Sequence, residues 1–395
     1  MSHPTPHVGV RPNTSFTLES PDTVEFGRGR ASETGRFADQ FGDRALVVTD
    51  EQLVRLGIID PVVDSLRDAG LDVEVFDGVE PDPTLSVLHD AVSAARDAAA
   101  DVLVGVGGGS SMDVAKGAAV ILANPELEPE PFGRGHVPKP GIPTVLLPTT
   151  AGSGAEVSPA VVVIDDRDGH EKKGIIDANA FATVALVDPA LTDELPVGVT
   201  RATGIDVFAH AVGSFISTTT NPFADALCAE AMELVEGNLR EATFYGADAL
   251  GARDAMAFAA TTAMFGRVNG GKAAIHAVAY GVQSLYDIPH GEAIAAVLPA
   301  VLEYNLPAAV PTYARLGTRL YDATGDPRAR AETFLTGVRR LRADIGLDQR
   351  LSAFGATAAD LDELAAMGVT SKRHLEANPR PVSEADVRTI LESIL

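Results

Sequence analysis

The sequence predicts two domains: an α/β domain, with a parallel sheet covered by helices on both faces, and an all-helical domain after it. A chain of 395 residues is too long for a single hydrophobic core. In the first half, apolar runs of strand length alternate with helical segments, which is typical of βαβ units. From about residue 195 the apolar spacing is helical almost to the C-terminus. We therefore expect a flexible tail over residues 1–14, an α/β dinucleotide-binding domain over 15–194 and an all-helical metal-binding domain over 195–395.

The segments of the α/β domain alternate in a regular order. RALVVTD (44–50) is a continuous apolar run ending in Asp50, and a helix with a terminal glycine follows it. Next come the strand LDVEVFDGV, the helix TLSVLHDAVSAARDAAA and the strand–turn–helix segment DVLVGVGGGSSMDVAKGAAVILAN. GIPTVLLPTTAGSGAEV adds a strand and a second glycine loop, and a DRDG turn (166–169) predicts a hairpin. Because strands buried on both faces are apolar throughout, these runs predict a parallel sheet.

Charge and composition limit the possible partners and compartment. The net charge is -24 and the sequence pI is near 4.6, with acidic residues spread along the chain. Such a surface repels nucleic acid, and it suits solubility in strong salt, so we expect a halophilic host and no nucleic-acid partner. The first residues lack the basic and apolar regions of a signal peptide, and no apolar run approaches bilayer length, so no membrane association is expected. Cys228 is the single cysteine and is expected to be a buried thiol, which favours the cytoplasm.

Two glycine loops are candidates for binding a nucleotide. GVGGGSSMDVAKGAA (105–119) follows a strand and opens a helix, so its backbone can approach a phosphate at the helix N-terminus. It fits neither the P-loop nor the G-x-G-x-x-G pattern, and a tight helix-start turn is the alternative. PTTAGSGAEVS (148–158) offers hydroxyls and glycines, with an ordinary surface turn as its alternative. Asp50 could accept hydrogen bonds from a ribose or cap the following helix.

Four residues have the composition of a site for a divalent metal. Asp206 and His210 lie four residues apart in a helical run, which places both side chains on one face. A helix carrying His276 is expected to end near Tyr286, and His290 then opens the next helix. One carboxylate and three imidazoles suit Zn²⁺ or Fe²⁺, although a lone histidine in a helix is more often structural.

Together GGGSSMDVAK, PTTAGSGAEVS, GIDVFAHAV and HAVAYGVQSLYDIPHG resemble the iron-containing (group III) alcohol dehydrogenases, in the same order and spacing from about residue 15 onwards. The resemblance implies NAD rather than NADP, a primary alcohol or aldehyde as substrate, a homodimer, and metal and nicotinamide in the cleft between the domains. The residues it implies are Gly107, Gly108, Gly109 and Ser110 at the pyrophosphate; Thr149, Thr150 and Ser153 at the cofactor; Lys172 or Lys173 at the ribose; Asp50 for NAD preference; and Asp206, His210, His276 and His290 as metal ligands.

One departure from the family pattern concerns the substrate side. Family members commonly carry a further histidine four residues after the His276 position, where this sequence has Tyr280, followed by GVQ in place of PLG. We expect Tyr280 to relay a proton or to pack its ring.

Two other functions are considered: an NAD- and metal-dependent lyase resembling dehydroquinate synthase, and a non-catalytic nucleotide-binding protein. The lyase needs basic residues around its substrate, and none follows Lys272 in the stretch that carries His276 and His290.

Overall fold

The computed structural model describes residues 15–167 and 171–395, so the tail expected at 1–14 lies outside the described residues. The chain forms two compact units that divide between Glu194 and Leu195, and the few described residues up to Leu18 group with the second unit. The first unit has α/β architecture and the second is helical, which confirms the predicted fold class.

The α/β unit is built on a parallel sheet. The strands of this unit are β1 (Thr23–Phe26), β2 (Arg44–Val48), β3 (Asp72–Phe76), β4 (Val102–Gly107), β5 (Gly133–Arg134), β6 (Thr144–Pro148), β7 (Ala160–Asp165), β8 (Glu171–Ile176) and β9 (Val184–Val187). Within the described residues six of them form the parallel sheet, in the order β1-β9-β6-β4-β2-β3, and all neighbouring strands in it run parallel. Parallel neighbours require crossover connections, which the alternating helices supply. The helices are α1 (Thr34–Ala38), α2 (Glu51–Arg55), α3 (Asp60–Asp68), α4 (Leu85–Asp97) and α5 (Gly109–Ala123).

Both faces of the sheet are covered, as the apolar strands predict. Successive side chains of a strand point to opposite faces. Accordingly Leu46 and Val48 of β2 pack in one hydrophobic cluster with α4 and α5, while Ala45 and Val47 pack in a second cluster with α3. All four side chains are buried, so β2 is an interior strand of a two-sided core.

A second, smaller sheet confirms the predicted hairpin. Strands β7 and β8 pair antiparallel from Ala160 opposite Ile176 to Asp165 opposite Glu171, and β5 adds a short parallel pairing. Residues 168–170, which include part of the predicted turn, lie outside the described residues.

The second unit consists of helices in its described part. They are α6 (Val197–Phe215), α7 (Pro222–Tyr245), α8 (Leu250–Gly270), α9 (Ile275–Tyr286), α10 (His290–Tyr321), α11 (Pro327–Asp344), α12 (Leu361–Gly368), α13 (Lys372–Glu376) and α14 (Glu384–Ser393). The predicted end of α9 at Tyr286 and start of α10 at His290 are confirmed. Cys228 of α7 is fully buried as predicted, and burial raises the pKa of its thiol to about 12.

The long helix α10 corrects one statement drawn from the sequence. Its length and mean hydropathy of 1.5 are sufficient for a bilayer span, although no such run was expected. Of its most apolar stretch, 72% is buried inside the protein, so α10 is a core helix of this unit.

The start of α10 lies directly against the backbone of α6. A Cβ atom placed on Gly291 would come within 2.0 Å of the Ala202 carbonyl oxygen. Only a residue without a side chain permits this approach. Gly291 adjoins His290, and Ala202 lies one helical turn before Asp206, so the contact helps to place these two side chains near each other.

We expect Gly291→Ala to lower the free energy of unfolding by about 1–3 kcal/mol, because the added methyl overpacks against rigid backbone. Gly198→Ala in the first turns of α6 is the matched control, since nothing lies within 4 Å of its added Cβ. Alanine favours a helix over glycine by up to about 1 kcal/mol, so this control should be neutral or stabilising. Urea unfolding of both variants measures the difference. Equal stability of the two would show that the α6–α10 contact is not tight.

Candidate metal centre and nucleotide loops

Three imidazoles surround one carboxylate oxygen in the helical unit. The Nε2 atoms of His276, His210 and His290 lie 3.2, 3.5 and 3.7 Å from Oδ1 of Asp206. Asp206 and His210 come from α6, His276 from the start of α9 and His290 from the start of α10. The structure therefore brings together all four residues that the sequence predicted as ligands.

The chemistry of this cluster fits a divalent metal. Ligand atoms of Asp206, His276 and His290 all lie within 4.8 Å of one another, while His210 falls outside that set. Oδ1 of Asp206 is buried and accepts no hydrogen bond from the described residues. A buried, unsatisfied carboxylate oxygen is costly unless a cation pairs with it. A carboxylate oxygen surrounded by imidazole nitrogens forms a site that Zn²⁺ or Fe²⁺ can occupy.

The imidazoles are held in the form that binds a metal. Burial lowers the pKa of His210 and of His276 well below the ordinary value, and the nearby Arg267 cation lowers both further. Both rings are therefore neutral at neutral pH. His290 is oriented by Gln283, whose Oε1 lies 3.0 Å from its Nδ1. The amide oxygen can only accept, so Nδ1 donates to it, and Nε2 is the nitrogen of His290 that faces Asp206.

The sequence analysis missed three residues around this cluster. Gln283 belongs to the GVQ segment noted only as a departure from the family pattern. Arg267 of α8 donates from Nη1 to Nε2 of His276 at 3.2 Å and from Nη2 to Nε2 of His374 at 3.4 Å. His374 lies 107 residues beyond Arg267 in the chain. No local motif links these positions, and a lone arginine near the end of a helix carries no signal of its own.

Tyr280 borders the histidine cluster. Its ring stacks on His290 with centroids 5.7 Å apart and meets His374 edge-on at 6.0 Å. Burial raises the pKa of its hydroxyl, and the neighbouring Arg267 cation opposes the rise. Tyr280 therefore carries its proton at neutral pH.

In the α/β unit the two glycine loops lie side by side. A Cβ on Gly108 would lie 3.8 Å from Thr150, and one on Gly109 would lie 3.0 Å from Oγ of Ser153. Gly107 has a φ of +152°, and a Cβ there would meet Oγ of Ser111 at 2.4 Å. Larger residues would fill this turn, which opens α5. The loops thus form a cradle of backbone N–H groups and hydroxyls of the kind that binds phosphate.

Lys116, which the sequence analysis also passed over, ties the second loop to α5. It is fully buried and donates to the carbonyl oxygens of Ala155, Ser158 and Ala160 at 2.9, 3.0 and 2.5 Å. Its ammonium group lies 3.0 Å from Oδ1 of Asp113, so the buried cation has a carboxylate partner. Ser110, half-buried, occupies the first turn of α5, and the buried Thr149 donates its backbone N–H to the Gly107 carbonyl at 2.9 Å.

The remaining predicted cofactor residues have structural partners of their own. Asp50 caps α2 by accepting a hydrogen bond from the Leu53 N–H at 3.0 Å, which is the helix-capping role that the sequence predicted as an alternative to ribose binding. Lys172 pairs with Asp82 at 2.8 Å, and Lys173 pairs with Asp165 at 2.8 Å.

Comparison with known proteins gives matches over both units. Family models match at residues 21–189 (iron-containing alcohol dehydrogenase) and 200–395 (Fe-containing alcohol dehydrogenase family, C-terminal). The chain is 32% identical over 385 residues to the NAD-dependent methanol dehydrogenase of Bacillus methanolicus, covering 97% of this chain and 100% of that protein. It is 33% identical over 359 residues to the sulfoacetaldehyde reductase of Bilophila wadsworthia, covering 89% and 92%. The solved structure of a 1,3-propanediol oxidoreductase superposes with a TM-score of 0.92 at 32% identity, covering 97% of this chain and 100% of that one.

We expect His276→Ala to weaken binding of Zn²⁺ or Fe²⁺ by more than about 100-fold, since changes to residues that merely support a ligand already cost ~10–100-fold. His89→Ala is the control. His89 belongs to the α/β unit, where its ring contacts the Glu128 carbonyl at 3.1 Å, and it is not among the proposed metal ligands. Metal per protein after dialysis against a weak chelator measures the effect. Full metal retention by His276→Ala would contradict the assignment.

Proposed function

This chain belongs to the iron-containing alcohol dehydrogenase family, and from that premise we propose that it interconverts primary alcohols and their aldehydes with NAD(H). Family membership makes it a metal-dependent, NAD-linked oxidoreductase of alcohols and aldehydes. The observation that carries the proposal is the buried Asp206 carboxylate facing the Nε2 atoms of three imidazoles. That arrangement has a use in metal-assisted redox chemistry and none in a simple nucleotide binder.

The reaction is a balanced hydride transfer. The alcohol loses a hydride from carbon to C4 of the nicotinamide and a proton from oxygen to solvent, so alcohol and NAD⁺ give aldehyde, NADH and H⁺. When bound, the divalent metal supplies a Lewis acid for the substrate oxygen, and NAD supplies the hydride acceptor. Asp206, His276 and His290 hold the metal, and we propose His210 as a fourth ligand.

The protein's own groups fit these roles. Neutral imidazoles leave Asp206 as the only anionic ligand, so the loaded site keeps a net positive charge that suits an oxygen losing its proton. Tyr280 is the residue proposed for proton transfer to the carbonyl oxygen during reduction, because its hydroxyl keeps its proton at neutral pH.

The glycine loops are the proposed cofactor site. Gly107, Gly108, Gly109 and Ser110 are assigned to the pyrophosphate, and Thr149, Thr150 and Ser153 to the rest of the dinucleotide. The short distances between the two loops support this assignment. Asp50 is proposed to favour NAD over NADP by repelling a 2′-phosphate, and Lys172 or Lys173 to contact the ribose.

Further properties complete the proposal. Iron and zinc both suit the ligand set, so either is proposed as the metal. The family resemblance supports a homodimer. The charge of -24 supports a halophilic host and argues against nucleic-acid partners, and the single buried cysteine supports the cytoplasm.

The alternative functions are less well supported. The named relatives are oxidoreductases, which disfavours both a lyase and a non-catalytic binding protein. Although no basic residue follows Lys272 in the stretch that carries His276 and His290, the cation Arg267 lies beside His276 in the folded protein, so a lack of positive charge does not exclude the lyase. Net formation of NADH separates the lyase from the dehydrogenase.

We expect protein reconstituted with Fe²⁺ or Zn²⁺ to form NADH from NAD⁺ and a primary alcohol. Chelation should lower the rate by at least about 100-fold, since removing a single transition-state donor already costs ~10²–10³-fold. Readdition of metal should restore the rate. Absence of net NADH formation across a panel of alcohols, or an unchanged rate in metal-free protein, would refute the proposal.

We expect Asp50→Ser to raise kcat/KM for NADP relative to NAD by about 10–100-fold, since a like charge at ~4 Å costs roughly 1–4 kcal/mol. Serine is a good helix N-cap, so the capping contact to Leu53 is kept and stability should change by less than about 0.5 kcal/mol. Steady-state kinetics with both cofactors and a urea titration measure the two effects. An unchanged cofactor ratio in a stable variant would remove Asp50 from the selectivity determinants.

A further inference from the structure

Arg267 is a buried cation at the edge of the metal centre. Its side chain is only 9% exposed, and its guanidinium meets neutral acceptors: imidazole nitrogens of His276 and His374 and the hydroxyl oxygen of Tyr280. Among the described residues it forms no ion pair with a carboxylate within 4.0 Å. Neutral imidazoles provide hydrogen-bond acceptors, but they do not neutralise its charge.

Lys116 is a buried cation whose charge is neutralised within the fold. It has the Asp113 carboxylate at 3.0 Å and three carbonyl oxygens around it. Burying a charge without a close partner of opposite sign is costly. The Asp206 carboxylate acts on Arg267 from a longer distance, so a bound anion is needed to form a direct ion pair with Arg267.

Metal binding would also remove one of the acceptors that Arg267 uses. The single lone pair of a neutral imidazole nitrogen serves one partner at a time. If Nε2 of His276 binds a metal, it no longer accepts from Nη1 of Arg267, which lies 3.2 Å away. That N–H group of Arg267 then becomes available to a ligand next to the metal.

The sign of this position is opposite to that of the chain as a whole. Arg267 is a buried cation beside His276 and His374 in a chain whose net charge is -24. A positive charge held in a site of this kind attracts a ligand of the opposite sign.

We propose that Arg267 binds the anionic tail of the substrate, so that the preferred substrates are small aldehydes and alcohols bearing a carboxylate or sulfonate group. This inference rests on the proposed function and specifies its substrate class. A guanidinium presents paired N–H donors that match two oxygens of an oxoanion. Arg267 is the specificity-determining residue in this assignment, and His374 and Tyr280 flank it.

The position of Arg267 limits the length of the substrate. Nη1 lies 3.2 Å from a nitrogen that is itself a metal ligand, so the anion and the reacting carbon bind close together. At ~1.5 Å per carbon–carbon bond, a chain of about two to four carbons is long enough to reach both positions. The reaction itself is unchanged: NADH gives a hydride to the carbonyl carbon, and a proton is added to the oxygen.

The test compares aldehydes with and without the anion. We expect kcat/KM for succinic semialdehyde or sulfoacetaldehyde to exceed that for butanal by at least about 100-fold, because a site built for a polar group discriminates strongly against analogues lacking it. In Arg267→Gln the anionic-to-neutral ratio should fall at least ~10-fold, while Arg267→Lys should keep part of it. Comparing the two anions shows whether carboxylate or sulfonate fits better.

The ratio of two substrates cancels any change in metal loading or active fraction caused by the substitution. Arg253→Gln is the matched control: Arg253 is a buried arginine on the same helix, and it donates to Oγ1 of Thr200 at 2.7 Å and to the Leu195 carbonyl. Its ratio should equal that of the wild type. A wild-type preference below tenfold, or an unchanged ratio in Arg267→Gln, would overturn the inference.

A binding measurement keeps this test independent of turnover. Calorimetry with the unreactive probe ethanesulfonate, on zinc-loaded protein with NADH, should show binding that weakens at least about 10-fold in Arg267→Gln, as expected for the loss of a charge-assisted contact. If no aldehyde is reduced but this difference is seen, the proposed function fails and the anion site stands. If butanal is reduced and ethanesulfonate binds equally to both proteins, the anion site fails and the dehydrogenase stands.

Discussion

A single buried carboxylate sets the requirements for the helical unit. Oδ1 of Asp206 is removed from water and accepts no hydrogen bond from the described residues, yet three imidazole nitrogens face it within 3.7 Å. Placing an ionised group in such a position costs several kcal/mol unless a cation joins it. The unit meets this requirement by bringing the starts of α9 and α10 against the middle of α6. The contact of Gly291 with the Ala202 backbone is part of that arrangement. Metal binding and folding of this unit are therefore expected to be coupled.

The α/β unit also contains a buried charge that needs a partner, and here the charge has a structural role. Lys116 is buried with its own carboxylate, so its charge is satisfied within the fold, and its remaining hydrogen bonds hold a loop in place. That loop brings Thr150 and Ser153 next to the glycines that open α5. A rigid loop makes backbone donors available to a phosphate without the entropy cost of ordering them on binding.

The net charge of the chain and the charge beside the metal centre have opposite signs. The chain is strongly acidic as a whole, which favours a hydrated and soluble surface. Beside His276 and His374 the sign is reversed by Arg267. In the described part of the chain no carboxylate lies within 4.0 Å of Arg267, and a bound metal would compete for the nitrogen that accepts its hydrogen bond. In the proposed complex one negative oxygen of the substrate binds at the metal and another at the guanidinium.

Local features of the sequence were sufficient to predict the architecture and to single out the four residues that meet at the candidate metal centre. Strand composition predicted a parallel sheet, Pro289 and helical periodicity placed His290 at the first position of α10, and the four-residue spacing put Asp206 and His210 on one helix face. These signals are local, because they depend on backbone geometry and caps within a few residues.

The roles of Arg267, His374 and Gln283 were decided only by tertiary packing. Arg267 and His374 are 107 residues apart, and Gln283 reaches His290 across the break between two helices. No periodic pattern encodes such meetings, because the distance between two side chains on separate helices depends on how those helices pack.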